Sequence, residues 1–277
     1  MATPLSAQLP PPLGLTRDAR HRYSFNDGRG AVWSPIPSVT TVIGVLDKSG
    51  PLVGWAKREV AACAVRNLDV LVRMRDAGGD VAARDWLKGI PDFQRDSAAD
   101  IGTRVHRLVE QIARGGEPDV AADEEPYARA YRTFLAEYRP KFLAIEEIVV
   151  SLGHGEDGAL DFAGTLDAIA VIDGQTWMLD LKTGAGLYAE TALQLAAYAS
   201  ADFIGRPGTA RRFRLPRASR YGVIHLRLEG ARLVEYGVDR STFAAFQMAR
   251  RLFGWRDGAA KSVIGATVEA TGSTEAA

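Results

Sequence analysis

The chain has 277 residues, of which 47% are hydrophobic and 25% are charged, a composition typical of a folded soluble protein with its own core. Its 34 basic residues balance 34 acidic ones, so the net charge alone neither indicates nor excludes a polyanionic partner, which needs only a local basic path. The single cysteine, Cys63, excludes an intrachain disulfide and a cysteine-ligated zinc or iron–sulfur site within one chain.

Membrane and export signals do not stand out in the sequence. No apolar stretch reaches the roughly 20 residues that a membrane helix needs. Residues 1–12 lack the basic start and apolar run of a secretory signal. We therefore expect a cytoplasmic protein with no membrane partner.

A mostly helical N-terminal part is predicted over residues 38–140. Before it, residues 1–20 are proline-rich and aperiodic, which predicts a flexible tail, and residues 22–42 favour short strands. Ser38 is positioned to cap a first short helix. The other predicted helices cover 51–88 with a break at 76–80, Asp96 or Ser97 to Ala113, and 123–138.

The pattern changes to extended runs from residue 145 onward. The predicted strands are 145–152, 160–172, 177–181, 221–228 and 232–238, and the predicted helices are 189–203 and 243–255. Asp173 and Gly174 form a tight turn between the second and third strands. This order predicts an α/β fold whose central mixed β-sheet, within residues 100–240, is flanked by helices. We expect one domain over 21–258 and a flexible tail over 259–277.

Three charged residues lie in two neighbouring strands of this predicted sheet. Asp167 lies inside one apolar run, and Asp180 and Lys182 lie at the end of the next. Residues two apart in a strand share a face, and strands joined by a tight turn are neighbours, so the three side chains are expected to meet. Two carboxylates and an ammonium group form a suitable Mg²⁺ site. The alternative is a buried ion pair between Asp180 and Lys182, which leaves Asp167 unexplained.

Two predicted helices carry further polar residues at a spacing of four. Gly102, His106 and Glu110 share one stripe, beside a separate apolar stripe that faces the core. A helical histidine is more often a core or surface residue than a ligand, but Gly102 leaves room for another segment to approach. On a later helix, Gln194 and Tyr198 share a face, and the alternative there is the polar edge of an amphipathic helix.

Together these motifs resemble the PD-(D/E)XK nuclease superfamily, and most closely its RecB-like branch of CRISPR-associated and bacteriophage exonucleases. That branch has a G-x-x-x-H-x-x-x-E helix, a G-x-x-D strand (here Gly164 and Asp167), a D/E-x-K strand and a Q-x-x-x-Y helix, in this order. The match covers residues 100–200, and residues 37–44 and 54–57 also look similar to phage-type members. Many CRISPR-associated relatives carry a four-cysteine iron–sulfur cluster, which this chain cannot form, so the cluster-free phage type is the better analogue.

The resemblance implies a restriction-endonuclease-like core and a metal-dependent deoxyribonuclease, with exonuclease action favoured, in recombination, repair or phage DNA metabolism. His106, Asp167, Asp180 and the backbone carbonyl of Leu181 would hold Mg²⁺ or Mn²⁺. Lys182 would orient the attacking water or help to deprotonate it. Glu110 would support this metal or a second one, and Gln194 and Tyr198 would meet a phosphate or orient the lysine.

DNA is the partner that this resemblance implies, with a recombination or repair protein as a possible second one. The expected DNA-binding residues are Lys57, Arg104, Arg211, Arg212 and Arg214. The arginine run continues to Arg217 and Arg220, and the alternative for it is a solvated loop. Two rival functions stay open: a catalytically silent nuclease-fold module that binds DNA or scaffolds a complex, and an unrelated metal-binding α/β enzyme such as a phosphatase.

Overall fold

The structure is a computed structural model that describes residues 12–18, 22–153 and 161–267. Its strands are β1 (Gly14–Arg17), β2 (Tyr23–Asn26), β3 (Val32–Ile36), β4 (Lys141–Ser151), β5 (Phe162–Ile172), β6 (Gln175–Lys182), β7 (Phe203–Gly205), β8 (Arg212–Phe213), β9 (Arg220–Arg227) and β10 (Gly230–Glu235). Its helices are α1 (Val39–Ile43), α2 (Ser49–Arg66), α3 (Leu68–Ala113), α4 (Glu125–Tyr138), α5 (Glu190–Ala199) and α6 (Arg240–Asp257). None of the helices in the described ranges combines the length and apolar character needed to cross a bilayer.

The centre of the fold is a seven-stranded mixed sheet with helices on both faces. Its strand order is β10-β9-β6-β5-β4-β7-β8, and all pairs are antiparallel except β6 with β9. The C-terminal half of α3 and helix α4 cover one face, and α1, α5 and α6 cover the other. The predicted turn joins β5 to β6, with positive φ at both Asp173 and Gly174, as a two-residue hairpin requires. The predicted α/β fold with a central mixed sheet is confirmed.

The predicted N-terminal tail is wrong in part, because Gly14–Arg17 forms strand β1. It pairs with β2, and β2 pairs with β3, to give a small antiparallel sheet. Leu15 is buried with Phe25 and Phe203 against the large sheet, so its apolar side chain overrides the proline-rich context before it. Residues 1–11 and 19–20 of the predicted tail lie outside the described ranges, as do residue 160 of the predicted β5 and residues 268–277.

The helical arm formed by α2 and α3 also differs from the prediction. The expected break at 76–80 is present at Gly79, whose φ of 73° interrupts the helical backbone. No new helix begins at Asp96 or Ser97, however, since α3 runs through both residues to Ala113. Ion pairs one turn apart, such as Lys88 with Asp85, support this polar stretch. At the other end of the chain, residues 259–262 of the predicted tail form a short 3₁₀ turn.

Candidate active site

The candidate site lies where the paired strands β5 and β6 separate. Their pairing ends at Ala168 and Leu179, one residue before Asp167 and Asp180. Beyond this point the backbone N–H of Leu181 in β6 donates its hydrogen bond, of 2.6 Å, to the Asp167 carboxylate instead of to the backbone of β5. The two aspartates are therefore brought together at the site, as the sequence predicts. No contact of the Leu181 carbonyl with a described residue tests its expected role as a metal ligand, which stays a prediction.

Asp180 is the most buried charged group of the site, with 2% of its surface exposed. Its Oδ1 accepts hydrogen bonds from Lys182 (3.0 Å) and from the Gln194 amide (2.9 Å), and Gln194 also donates to the Tyr198 hydroxyl (3.3 Å). The Q-x-x-x-Y helix thus lies next to the D-x-K strand, with Gln194 on Asp180, whereas the expected role of Gln194 and Tyr198 towards a phosphate or the lysine stays a prediction. The Asp180–Lys182 ion pair of the alternative reading is also present.

The ion pair does not satisfy Asp180 completely. Its Oδ2 lies 2.8 Å from the Lys182 nitrogen, close enough for a charge contact, but makes no hydrogen bond to any described residue. A buried carboxylate oxygen without a hydrogen bond is costly. This oxygen is therefore suited to an additional positively charged ligand.

A second group of possible ligands faces Asp167. One ligand atom each of His106, Glu146 and Asp167 lies within 4.8 Å of the others, and His106 Nδ1 is 3.9 Å from Asp167 Oδ2. Sequence reasoning missed Glu146. The available signal was the pair Glu146–Glu147 inside an apolar strand, of which one residue must turn inward unless the strand is distorted. Glu146 has a φ of 51°, unusual for a residue with a side chain, so the backbone of β4 is distorted at this position.

Two carboxyl groups of the site, those of Glu146 and Asp180, have raised pKa values. Burial, followed by repulsion from Asp167 and Glu110, raises the pKa of Glu146 to about 8. Burial, followed by repulsion from Asp167, raises the pKa of Asp180 to about 7. For Lys182, burial alone would lower the pKa, but the charge of Asp180 outweighs it and raises the pKa. The site therefore has excess negative charge that a cation would stabilise.

Two motif glycines allow the elements around the site to pack closely against one another. A Cβ atom on Gly164 would lie 2.6 Å from the Tyr198 ring, and one on Gly102 would lie 3.4 Å from the Thr183 hydroxyl. The missing side chain at Gly164 is what lets α5 pack against β5, and Gly102 lets the segment after Lys182 approach α3. The predicted role of Gly102, room for another segment, is present. The four motifs thus contact one another in pairs.

The segment after Lys182 is held by residues that sequence reasoning did not select. The carbonyl of Thr183 accepts a hydrogen bond of 2.5 Å from Arg227, and that of Gly184 lies 2.8 Å from His225 Nε2. Both holding residues belong to β9, which pairs in parallel with β6. Strand β9 therefore fixes the backbone next to the lysine, a contact that only the sheet order reveals.

Glu110 lies at the edge of the site and not among the grouped ligand atoms. It forms an ion pair of 3.0 Å with Arg114, which also donates to the Ile145 carbonyl. Its charge acts on Glu146 by repulsion. The geometry thus favours a supporting position for Glu110 over direct contact with the same metal.

Three carboxylates contact the guanidinium group of Arg104, whose expected DNA-binding role stays a prediction. The guanidinium lies 2.5 Å from Asp123, 2.6 Å from Glu124 and 3.1 Å from Asp100. These contacts tie α3 to the start of α4. Lys57 is exposed on α2 within the helical arm. The exposed Arg211, Arg212 and Arg214 lie at or next to strand β8, on the edge of the large sheet.

A cleft of about 190 Å³ opens over the site. It is lined by His106, Asp167, Asp180 and Lys182 from the large sheet and α3, and by Arg17 from β1. No family model and no curated protein matches the chain. The resemblance to the nuclease superfamily therefore rests on the four sequence motifs alone.

Proposed function

We propose that the protein is a metal-dependent nuclease of the PD-(D/E)XK type that hydrolyses DNA phosphodiester bonds, and that its large sheet is a restriction-endonuclease-like core. The observation that carries this proposal is the convergence of motif residues from different elements. His106 from α3, Asp167 from β5, Asp180 and Lys182 from β6, and Gln194 from α5 all line one cleft. A structural ion pair would need only two of them.

The residues present fit a divalent cation such as Mg²⁺ or Mn²⁺. Carboxylate oxygens are the ligands that these ions prefer, and an imidazole suits Mn²⁺ in particular. The grouped atoms of His106, Glu146 and Asp167 would hold the ion, and Asp180, which lines the same cleft, would add its buried Oδ2, which accepts no hydrogen bond from a described residue. The bound ion would polarise the phosphate and lower the pKa of a bound water.

The chain's own residues would position the reacting groups. Lys182, held against Asp180 and raised in pKa, presents a positive charge to the cleft and orients the attacking water or phosphate. Gln194 fixes Asp180 by its amide, and Tyr198 fixes Gln194 by its hydroxyl. Burial raises the pKa of Tyr198 well above its usual value, so this hydroxyl keeps its proton.

A time course on labelled DNA tests the proposal directly. The purified chain is incubated with linear and circular DNA, single- and double-stranded, in Mn²⁺, Mg²⁺ or EDTA. We expect metal-dependent cleavage that EDTA stops, with linear DNA cut faster than circular DNA if the enzyme is an exonuclease. Binding without any cleavage in either metal would support the catalytically silent module instead.

The imidazole of His106 predicts a preference for Mn²⁺ over Mg²⁺. We expect faster cleavage with Mn²⁺ at equal concentration, because nitrogen ligands suit transition metals better than Mg²⁺. The substitution His106→Ala should weaken Mn²⁺ binding by at least about 10-fold, because loss of a residue that only supports a ligand already costs about 10- to 100-fold, and it should reduce cleavage in both metals. Rates over a titration of each metal measure the effect.

The matched control for His106 is Arg107→Ala, a change at an exposed position on the same helix. It should leave the metal titration unchanged. If His106→Ala altered only the melting temperature and kept the wild-type metal preference, His106 would be a packing residue and not a ligand.

Metal binding should stabilise the fold more at high pH than at low pH. The pKa of Glu146 (about 8) and that of Asp180 (about 7) both lie above their ordinary values, so each carboxyl destabilises the metal-free fold progressively as the pH rises from about 4 to about 8. Ionised ligands bind the cation and remove this cost. At a Mn²⁺ concentration 100 times the Kd measured at pH 8, the melting temperature at that pH should rise by roughly 5–10 °C.

The same scan at pH 6 should show a smaller shift, since protons compete for the ligands. Calorimetry or a dye-based melting curve at both values measures it, with Glu146→Gln as the variant that should flatten the dependence on pH. A Mn²⁺ shift of equal size at both pH values would contradict the assignment of these carboxyls as ligands.

A further inference from the structure

The stretch from residue 203 to residue 228 contains no acidic residue. It carries seven arginines, at positions 206, 211, 212, 214, 217, 220 and 227. In a chain whose charges balance overall, such a segment creates a local positive field. In the structure, some of these arginines bind carboxylates or carbonyls of the protein itself, and the others can bind an external anion.

Three of the seven have internal partners. Arg206 forms an ion pair with Glu147 at 2.6 Å, Arg220 one with Glu235 at 2.9 Å, and Arg227 donates to the Thr183 carbonyl. The other four, Arg211, Arg212, Arg214 and Arg217, are exposed and form no ion pair with any described residue. Exposed arginines that lack an ion pair, near a site that would cut a polyanion, are suited to binding that polyanion.

Aromatic rings hold two of these arginines in place. The guanidinium of Arg211 lies 4.8 Å from the centre of the Phe213 ring, whose other neighbour is Arg206 at 4.4 Å. The guanidinium of Arg212 lies 4.9 Å from the Phe203 ring and 5.5 Å from Phe25 of the small sheet. Stacking limits the side-chain freedom that would otherwise be lost on binding an anion. The acidic residue that acts on Arg212 is Asp27, whose carboxylate already accepts the N–H groups of Arg29 and Ala31.

Strand β1 connects this surface to the cleft. At one end Gly14 packs against the backbone of Thr209 so closely that no Cβ fits, and Leu15 bridges to Pro207. At the other end Arg17 lines the cleft together with Asp167, Asp180 and Lys182. At about 3.3 Å per residue, β1 spans roughly 10 Å. Tyr23 of β2 anchors the small sheet to β5 through Thr165, at 3.4 Å.

We propose that Arg17, Arg211, Arg212 and Arg214 form an arginine track along β1. The track binds the phosphodiester backbone of the part of the nucleic acid that extends out of the active site and has not yet been cleaved. The inference rests on the proposed nuclease function and adds the path that the substrate takes: out of the cleft past Arg17, then along the small sheet to the β8 edge. It assigns a function to the N-terminal sheet, which contributes none of the candidate metal ligands.

The test is the salt dependence of DNA binding by the full chain in EDTA, where no cleavage occurs. Each phosphate contact contributes about 0.7 to the slope of log K against log salt for single strands, and about 0.9 for duplex. The double variant Arg211→Gln/Arg214→Gln should lower the slope by about 1.4 on a labelled single strand, or about 1.8 on duplex of the same sequence. At 100 mM salt the single-strand affinity should fall about 25-fold.

The matched control is Arg232→Gln/Arg240→Gln. It removes the same charge from two exposed arginines, one on β10 at the opposite edge of the sheet and one at the start of α6. It should keep the wild-type slope. Equal slopes for the two double variants would overturn the arginine track even if the protein cuts DNA. A slope difference without any metal-dependent cleavage would support the track as a binding surface and overturn the nuclease.

Discussion

Replacing Lys182 with alanine is expected to lower the rate of DNA cleavage by about 10³-fold, within the range found when a positioned catalytic group is removed. The lysine presents the site's protonated amine to the cleft and lies against Asp180 at 2.8–3.0 Å. In the proposed mechanism, removing it takes away the charge that orients the water or the phosphate, whereas the proposed arginine track and metal ligands remain. DNA binding measured in EDTA should therefore change little.

Folding must be separated from catalysis in this experiment, because alanine leaves the buried Asp180 without its cationic partner. Loss of one member of a buried ion pair typically costs about 3–5 kcal/mol. Lys182→Gln keeps a hydrogen-bond donor near Asp180 and should retain the fold, yet it should be as inactive as the alanine variant. Lys141→Ala, an exposed lysine at the start of β4, is the control that should cut normally. Wild-type cleavage by folded Lys182→Gln would remove the lysine from the mechanism.

Replacing Asp180 with asparagine is expected to abolish cleavage while leaving the metal-free fold as stable as the wild type or more stable. Burial raises the pKa of this carboxyl to about 7, so at pH 8 the wild-type fold carries an ionised group that burial disfavours. Asparagine keeps the shape and removes the charge, and its oxygen can still accept from Gln194. The gain at pH 8 should be on the order of 1–3 kcal/mol, because the Lys182 side chain that loses its partner is 36% exposed and can stay solvated, unlike the buried Asp180 that Lys182→Ala leaves unpaired.

Paired measurements show whether Asp180 is kept for function at the expense of stability. Melting curves at pH 8 without metal should place Asp180→Asn at or above the wild type, and the same curves with excess Mn²⁺ should place it below. Asp173→Asn, an exposed change in the turn between β5 and β6, is the control that should behave as wild type in cleavage. If Mn²⁺ stabilised Asp180→Asn as strongly as the wild type, Asp180 would not be a ligand.

The sequence predicted those parts of the fold that local patterns determine. The strands β4, β5, β6, β9 and β10, the hairpin at Asp173 and the helix cap at Ser38 follow from periodicity and turn chemistry, which act over a few residues. Asp180 and Lys182 share a face because strand geometry leaves no other choice. The order of the motifs predicted only that Gln194 lies near the site; its hydrogen bond to Asp180 was not predicted, since nothing local places α5 next to β6.

Features that depend on tertiary contacts were not predictable in this way. Glu146 enters the site through a distorted residue of β4, and Arg104 is neutralised by carboxylates that lie about 20 residues away in sequence. β1 forms because Leu15 is buried with Phe203 of β7, which lies about 190 residues later in the chain. In each case the deciding partner is distant in the chain, so no window of neighbouring residues contains the information.

The pairing of β4 with β5 has a consequence for how the protein can be divided. His106 and Glu146 come before the connection between these strands, whereas Asp167, Asp180 and Lys182 come after it. A cut in that connection would yield two fragments, each with an incomplete set of candidate ligands, which would associate through the β4–β5 ladder, the pairing of β4 with β7 and the packing of α4 against β9 and β10. The molecule is thus a natural candidate for a split reporter. Neither fragment alone would bind the metal with the full set of ligands, and reassembly along β4 and β5 would restore it.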